Sequence, residues 1–385
     1  MPEEPSYPEV RDAVKRLCQD FPDKYWRDKD RGKAYPGEFV QALTDAGYLS
    51  VLIPEAYDGA GMNLGAACAV LEEIQRSGAN GAACHAQMYT MGTLLRHGND
   101  AQKQKYLPQI ASGALRLQAF GVTEPSSGTD TTRIKTRAVR VGEHYVVSGK
   151  KVFISRVEHS DLMLLLVRTT PRDEVHKPTQ GMSVLLVDLR EAVGNGLTVR
   201  PLETMLNHAT TELFIDQLRV PLENLIGEEG KGFGYILDGM NAERILIAAE
   251  CIGDARWFID HATRYACERE VFGNPIGKNQ GIQFPIARAH VQTEAAALMV
   301  DKASRLFDTD EACGSEANMA KLLAADASWA AADMCLQTHG GYGFTVEYDV
   351  ERKFRETRLY QVAPISTNLI LSNIATHVLG LPKSF

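Results

Sequence analysis

VTEPSSGTD (Val122–Asp130) and KKVFISRVEHSD (Lys150–Asp161) decide how this chain is read. The first is a turn crowded with hydroxyl and carboxylate side chains. Thr, Ser and Asp compete with the backbone for hydrogen bonds and therefore favour turns. The second runs from a strand-like stretch of branched and aromatic residues into the hydroxyl of Ser155. Taken singly, each is also compatible with a polar loop or an ordinary buried strand.

Outward from these segments the texture is β-rich from about Leu117 to Leu225. HYVVSGKKVFIS, LMLLLVRTT, MSVLLVDL, LTVRPL and ELFIDQLRVP are short runs of branched residues bounded by turn signals, and they predict strands. On the N-terminal side FVQALTDAGYLSVLIP, AACAVLEEIQRSG and AQKQKYLPQIASG carry helical spacing broken by Gly and Pro. From Gly230 onward apolar residues again recur three and four apart. Three long helices and a shorter one near Asn368 predict a four-helix bundle. The expected fold is α+β. An all-α N-terminal domain (1–117) leads into a central β-sandwich or barrel-like domain (118–228), and a C-terminal four-helix bundle (229–385) follows.

Composition narrows the class. A chain of 385 residues is long for one core, so two or three packed domains are expected. Its 44% hydrophobic and 23% charged residues are those of an ordinary globular protein. A net charge of −8 argues against nucleic acid as a partner, because such binders present a basic face. No apolar run is long enough to span a membrane. The start, MPEEPSYPEV, is neither a secretory signal nor an Arg-rich transit peptide. Seven scattered cysteines without a CxxC pair read as reduced core residues rather than a disulfide framework or a metal site. The expected location is the cytoplasm, with a mature mitochondrial matrix form as the other option.

Two more segments carry chemistry. RYACEREVFGNPIGKNQ holds Arg269, Phe272, Gly273 and Gln280, and the Arg offers a fixed fork that suits a pyrophosphate. QTHGGYGF, from Gln337 to Phe344, pairs Gly340 with Gly341, which lets a backbone approach a ligand closely. No βαβ context surrounds it, so it is not a dinucleotide fingerprint.

In order and spacing these four segments resemble the acyl-CoA dehydrogenase family across nearly the whole chain. The resemblance implies an FAD-dependent oxidoreductase that dehydrogenates an acyl-CoA thioester at its α and β carbons. The product is the trans-2-enoyl-CoA, with hydride passing to flavin N5. It implies that Phe120, Val122, Thr123, Gly128, Thr129, Phe153 and Ser155 line the flavin, with Thr129 near the thioester. Phe153 stands where relatives usually carry Trp. It further implies that Arg269, Phe272, Gln280, Gln337, Gly340, Gly341, Ser366 and Asn368 hold the rest of the FAD, partly across subunits. A homo-oligomer, a tetramer as in the family, and an electron-transfer flavoprotein as acceptor are implied by the same resemblance.

The base is where the chain departs from the common pattern. Many members place a glutamate in a Y-x-x-YEG-T segment. Here the run is LYQVAPISTN, in which Tyr360 and Gln361 match and Pro364 takes the glutamate position. Proline accepts no proton, and it offers no N–H to a thioester carbonyl. A neighbouring amide such as that of Ile365 is one replacement, and different chemistry is the other. The isovaleryl-CoA and long-chain acyl-CoA dehydrogenases instead carry a Glu-Arg pair at the start of the long helix. This chain has that pair as Glu243-Arg244. The resemblance therefore implies Glu243 as base and Arg244 as its orienting partner. Apolar neighbours such as Met240 and Ile245 would favour the neutral carboxyl, which suits a base working near neutrality. Glu250 shares the helix face, either as a second polar group or as a paired core residue. ACHAQMYTM (Ala83–Met91) aligns with an acyl-lining helix, and its mixed polarity points to a branched or substituted acyl chain. Two rival readings keep the fold. One is a homologue with monooxygenase, nitroalkane oxidase or desulfinase chemistry. The other is a non-catalytic FAD-binding assembly subunit.

Overall fold

The structure, a computed structural model, describes residues 6–383. The first five residues of the acidic start lie outside the described residues. Six helices come first: α1 (Pro8–Gln19), α2 (Asp23–Arg31), α3 (Gly37–Asp45), α4 (Leu64–Arg76), α5 (His85–His97) and α6 (Asp100–Ala111). The strands are β1 (Leu117–Gly121), β2 (Arg137–Val141), β3 (His144–Ser155), β4 (Leu162–Arg168) and β5 (Met182–Asp188). After the one-turn helix α7 (Leu189–Ala192) come β6 (Leu197–Pro201), β7 (Thr210–Pro221) and β8 (Leu225–Ile226). The remainder is α8 (Gly232–Glu268), the short hairpin β9 (Glu270–Val271) and β10 (Asn274–Pro275), then α9 (Gln280–Asp308), α10 (Gly314–His339), α11 (Val350–Arg358) and α12 (Thr367–Asn373). The architecture is the expected one: a helical N-terminal domain, a central mixed-sheet domain and C-terminal helices.

By contact density the chain forms two compact units. The sheet unit comprises Tyr35–Met62 and Ala82–Met240. Its strands run in the order β6-β7-β3-β2-β4-β5-β8, with β1 added in parallel to β4. Every residue of β4 is buried, which explains its unbroken apolar run. Successive side chains of a strand point to opposite faces. Leu162, Leu164 and Leu166 therefore pack with Met91, Leu94, Leu107 and Ile110 of α5 and α6. Met163, Leu165 and Val167 pack with Tyr145, Val147, Leu213 and Ile215 of β3 and β7. The runs named above become β3 to β7, whereas β1, β2 and the two-residue strands β8, β9 and β10 match none of them; RAVRV forms β2, where only Ala138 is buried. Its polar residues face solvent, so no apolar run marks it.

The helical unit comprises residues 6–34, 63–81 and 241–383. Its core is alanine-rich, with Ala255, Ala262, Ala289, Ala331 and Ala332 gathered round Trp257 and Phe258. Small side chains let helices approach closely. At Gly253 on α8 an added Cβ would collide with the Glu72 carbonyl of α4, so glycine is required there by contact. Among the described residues, no helix is long and apolar enough to cross a membrane.

Candidate functional site

In the sheet unit the hydroxyl-rich turn is stitched to β3. Lys151 Nζ donates to the Val122 carbonyl at 2.9 Å and to Glu124 Oε1 at 3.0 Å. Glu124 also accepts the backbone N–H groups of Lys135 at 2.6 Å and Thr136 at 2.9 Å. The Val152 N–H donates to the Thr123 carbonyl at 3.0 Å. Burial pushes the Glu124 carboxyl up, but Lys151 and these donors outweigh it and hold it below the usual range. Burial pulls the Lys151 ammonium down to about 8 against the pull of Glu124. Both groups are therefore charged at neutral pH, as a fully enclosed ion pair. None of the sequence motifs singles out Lys151. Its signal was parity, because alternation with the inward Tyr145 and Val147 places residue 151 on the same side.

Phe153 is the extra residue of a bulge: Val152 pairs with Glu212 and Ile154 with Thr211, leaving Phe153 without a partner. Its φ is +59°, and its ring is 67% exposed in a strand whose flanking residue Ile154 is buried. Bulges re-aim side chains, and left-handed backbone at a bulky residue costs on the order of 1–3 kcal/mol. Such a ring, lifted off the sheet beside half-buried Thr123 and Ser155, suits a flat cofactor laid against it. Phe120 and Val122 are half-buried and pack on the apolar core, while Gly128 and Thr129 stand exposed at the tip of the turn.

In the helical unit Glu243 is buried on α8, at 7% exposure. Arg244 donates to Asn241 Oδ1 at 3.1 Å, and its Nε has no hydrogen-bond partner. Burial pulls its guanidinium below the ordinary value, with Glu243 opposing. Glu250, two turns further on, is a paired core residue. Tyr360 Oη donates to its Oε2 at 3.0 Å, and Gln75 Nε2 donates to Tyr360 Oη at 2.8 Å. The chain continues through Lys353 Nζ, which donates to Gln75 Oε1 at 2.9 Å. The same ammonium forms an ion pair with Asp254 Oδ1 at 2.5 Å. Burial, opposed by Lys353, raises the Asp254 carboxyl to about 6.

The loop at Pro364 is anchored in the same unit. Lys321, fully buried on α10, donates through Nζ to the Ile365 carbonyl at 2.8 Å. Ser366 caps α12 by accepting the Leu369 N–H at 3.4 Å, and Asn368 is exposed in its first turn. Two distant segments also meet here: the Arg269 guanidinium lies over the Tyr342 ring, 5.8 Å from its centroid. Phe272 is wholly exposed, and Gln280, Gln337 and the Gly340-Gly341 pair are exposed as well. Gly340 has φ +58° and ψ −132°, a conformation that glycine alone adopts readily, and nothing would meet a Cβ within 4 Å at either glycine. An exposed guanidinium, bare ring and open glycine backbone suit the phosphate and adenine parts of a dinucleotide.

Comparison with known proteins gives the class. Family models of the acyl-CoA dehydrogenase N-terminal, middle and C-terminal domains match residues 5–114, 119–218 and 230–379. The chain belongs to the acyl-CoA dehydrogenase family of oxidoreductases. It is 34% identical over 379 residues to acyl-CoA dehydrogenase fadE12 of Mycobacterium bovis, covering 98% of this chain and 96% of that relative. It is 36% identical over 359 residues to cyclohex-1-ene-1-carbonyl-CoA dehydrogenase of Syntrophus aciditrophicus, covering 92% and 85%. Among solved structures, a glutaryl-coenzyme A dehydrogenase–glutaryl-CoA complex superposes with a TM-score of 0.91 at 30% identity, over 100% of this chain and 98% of that one.

Proposed function

We propose that the protein is an FAD-dependent acyl-CoA dehydrogenase acting on a branched or substituted acyl chain. The observation that carries this reading is the burial of Glu243 beside Arg244 at the position two subgroups of the family use for their base. When bound, FAD would supply the hydride acceptor. Glu243 takes the α-proton onto its carboxylate, and the electron pair of the broken C–H bond forms the new double bond as the β-hydride departs. Arg244, tethered to Asn241, orients the carboxylate. Ser155 and Thr123 offer hydroxyls to the ring edge, and Phe153 offers its face. Arg269, Phe272, Gln280, Gln337, Gly340 and Gly341 would hold the ADP part, with Ser366 and Asn368 also in contact with the cofactor. We read the acceptor as an electron-transfer flavoprotein and the assembly as a homotetramer. Phe284, Val291 and Leu298, seven apart on α9 and each more than half exposed, form the apolar stripe a second copy would cover.

The test is anaerobic mixing of FAD-loaded protein with straight, branched and carboxylated acyl-CoAs while following flavin absorbance. Bleaching by one class is expected. In Glu243→Gln the rate should fall by about 10²–10⁴, the usual contribution of a positioned base. An unchanged rate removes Glu243 from the mechanism. Pro364 favours one second reading, the same scaffold with oxygenase-type or other flavin chemistry. No bleaching by any acyl-CoA, in protein that holds FAD and binds CoA esters, would select it.

A further inference from the structure

Arg156 directly follows Ser155, and it is buried, at 3% exposure. Its φ is +58°, and its N–H donates to the Ala209 carbonyl at 2.8 Å. The turn out of β3 is thus pinned and the side chain is sent inward. Its Nη2 meets His208 Nδ1 at 3.1 Å. Among the described residues no carboxylate forms an ion pair with it. This sets it apart from the other buried cations of the sheet unit. Lys151 is paired with Glu124, and Arg168 is wrapped by the carbonyls of Thr132, Ile134 and Gln180. The acid nearest in sequence, Glu158, is exposed and forms no ion pair with Arg156, although its charge reaches His159. His208 is held neutral, first by burial and then by Arg156 itself. His159 is also biased toward neutrality by burial, and it stacks on Tyr35 at 4.1 Å, whose hydroxyl accepts from Gln118.

An enclosed guanidinium without a counterion is costly unless something offsets it during function. The neighbouring segment, Phe153 to Ser155, is the one read above as the flavin cradle. Taking up two electrons and one proton leaves a flavin with a net negative charge spread over its pyrimidine edge. We propose that Arg156 is the built-in countercharge for that reduced, anionic flavin: a positioning residue that raises the cofactor's two-electron reduction potential without touching substrate. The proposal rests on the FAD reading of the cradle. It explains why the charge is held rigidly by Ala209 and His208 rather than neutralised by an acid, since a carboxylate partner would cancel the field the reduced ring needs.

The experiment is a potentiometric titration of the FAD-loaded full chain, with sulfite affinity as a second readout, because the sulfite–flavin adduct is also anionic. Arg156→Gln should shift the reduction equilibrium about tenfold toward the oxidised form, a fall of ~30 mV. It should weaken sulfite binding by a similar factor at unchanged FAD occupancy. Arg156→Lys, which keeps the charge, should restore most of both. His208→Glu places a carboxylate beside an intact Arg156 and should lower the potential too. It carries the test if the Gln variant does not fold. FAD-loaded Arg156→Gln or His208→Glu with the wild-type potential overturns the proposal. Wild-type protein that takes up no FAD overturns the cofactor reading instead, and the proposal falls with it.

Discussion

Glu124 and Lys151 are worth attention as single residues because their charges hold the hydroxyl-rich turn on β3. The Glu124 carboxyl titrates lower in the folded chain than in the unfolded one, so the native state binds fewer protons across that window. Its contribution is present above the ordinary glutamate value and is lost as pH falls through the depressed one. Urea midpoints measured from pH 6 down to pH 3 should therefore decline in the wild type, and more shallowly in Glu124→Gln. At neutral pH that variant should be about 3–5 kcal/mol less stable, because it strands the enclosed Lys151 ammonium. A second residue-scale prediction concerns Gly340. A Cβ there meets no neighbour but forces a backbone that L-residues avoid, at on the order of 1–3 kcal/mol. Gly340→Ala should weaken FAD binding in a fluorescence titration, and an unchanged affinity would remove the Gly340 loop from the cofactor contacts. Residues of this kind were unevenly legible. Gly340 announces itself as half of a glycine pair, whereas Arg156 looks like any polar residue after a strand until its burial is known.

At the scale of elements, the bulge in β3 and the charged helix α11 show two ways that context overrides local pattern. KKVFIS reads as a plain strand, but a register shift opposite Glu212 and Thr211 ejects Phe153. Phe153→Gly relieves the left-handed strain and removes little buried surface. The cofactor-free protein should be at least as stable as wild type, by up to roughly 1 kcal/mol in a urea melt, while FAD affinity drops. A parallel loss of stability would mean that the ring is a packing residue. VERKFRETR is charged enough to pass for a solvated face. Yet Arg352, Lys353 and Glu356 are buried, with Arg352 held by Asp349, Glu356 and the Gly78 carbonyl. The nearby Tyr360 hydroxyl joins Glu250 to Gln75, so Tyr360→Phe should cost about 1–3 kcal/mol by leaving both without that partner. Calorimetry of the variant measures this directly. The sequence could show a helix here, but it could not show that the helix's charges meet acids and carbonyls from segments hundreds of residues away.

For the whole molecule, the exposed stripe of α9 bears on assembly. A Glu at Val291 or Leu298 would put charge into the apolar strip where a second copy is proposed to pack. Sedimentation velocity should show such variants as smaller species than wild type. Wild-type size in both would place the subunit interface elsewhere.

The order of helical, sheet and helical domains is legible from the chain alone, because periodicities of 3.6 and 2 are local properties that survive without knowledge of contacts. The sequence also brought four motifs into the register of one family, since fixed spacing along a chain needs no tertiary model. The electrostatic standing of particular groups, by contrast, emerges only from the folded contacts. Glu250 became a core partner of Tyr360, Lys151 an enclosed cation, Arg156 a buried charge without an acid, and Phe153 a ring lifted from its strand. Burial and charge pairing depend on residues far apart in the chain, and no local pattern encodes them.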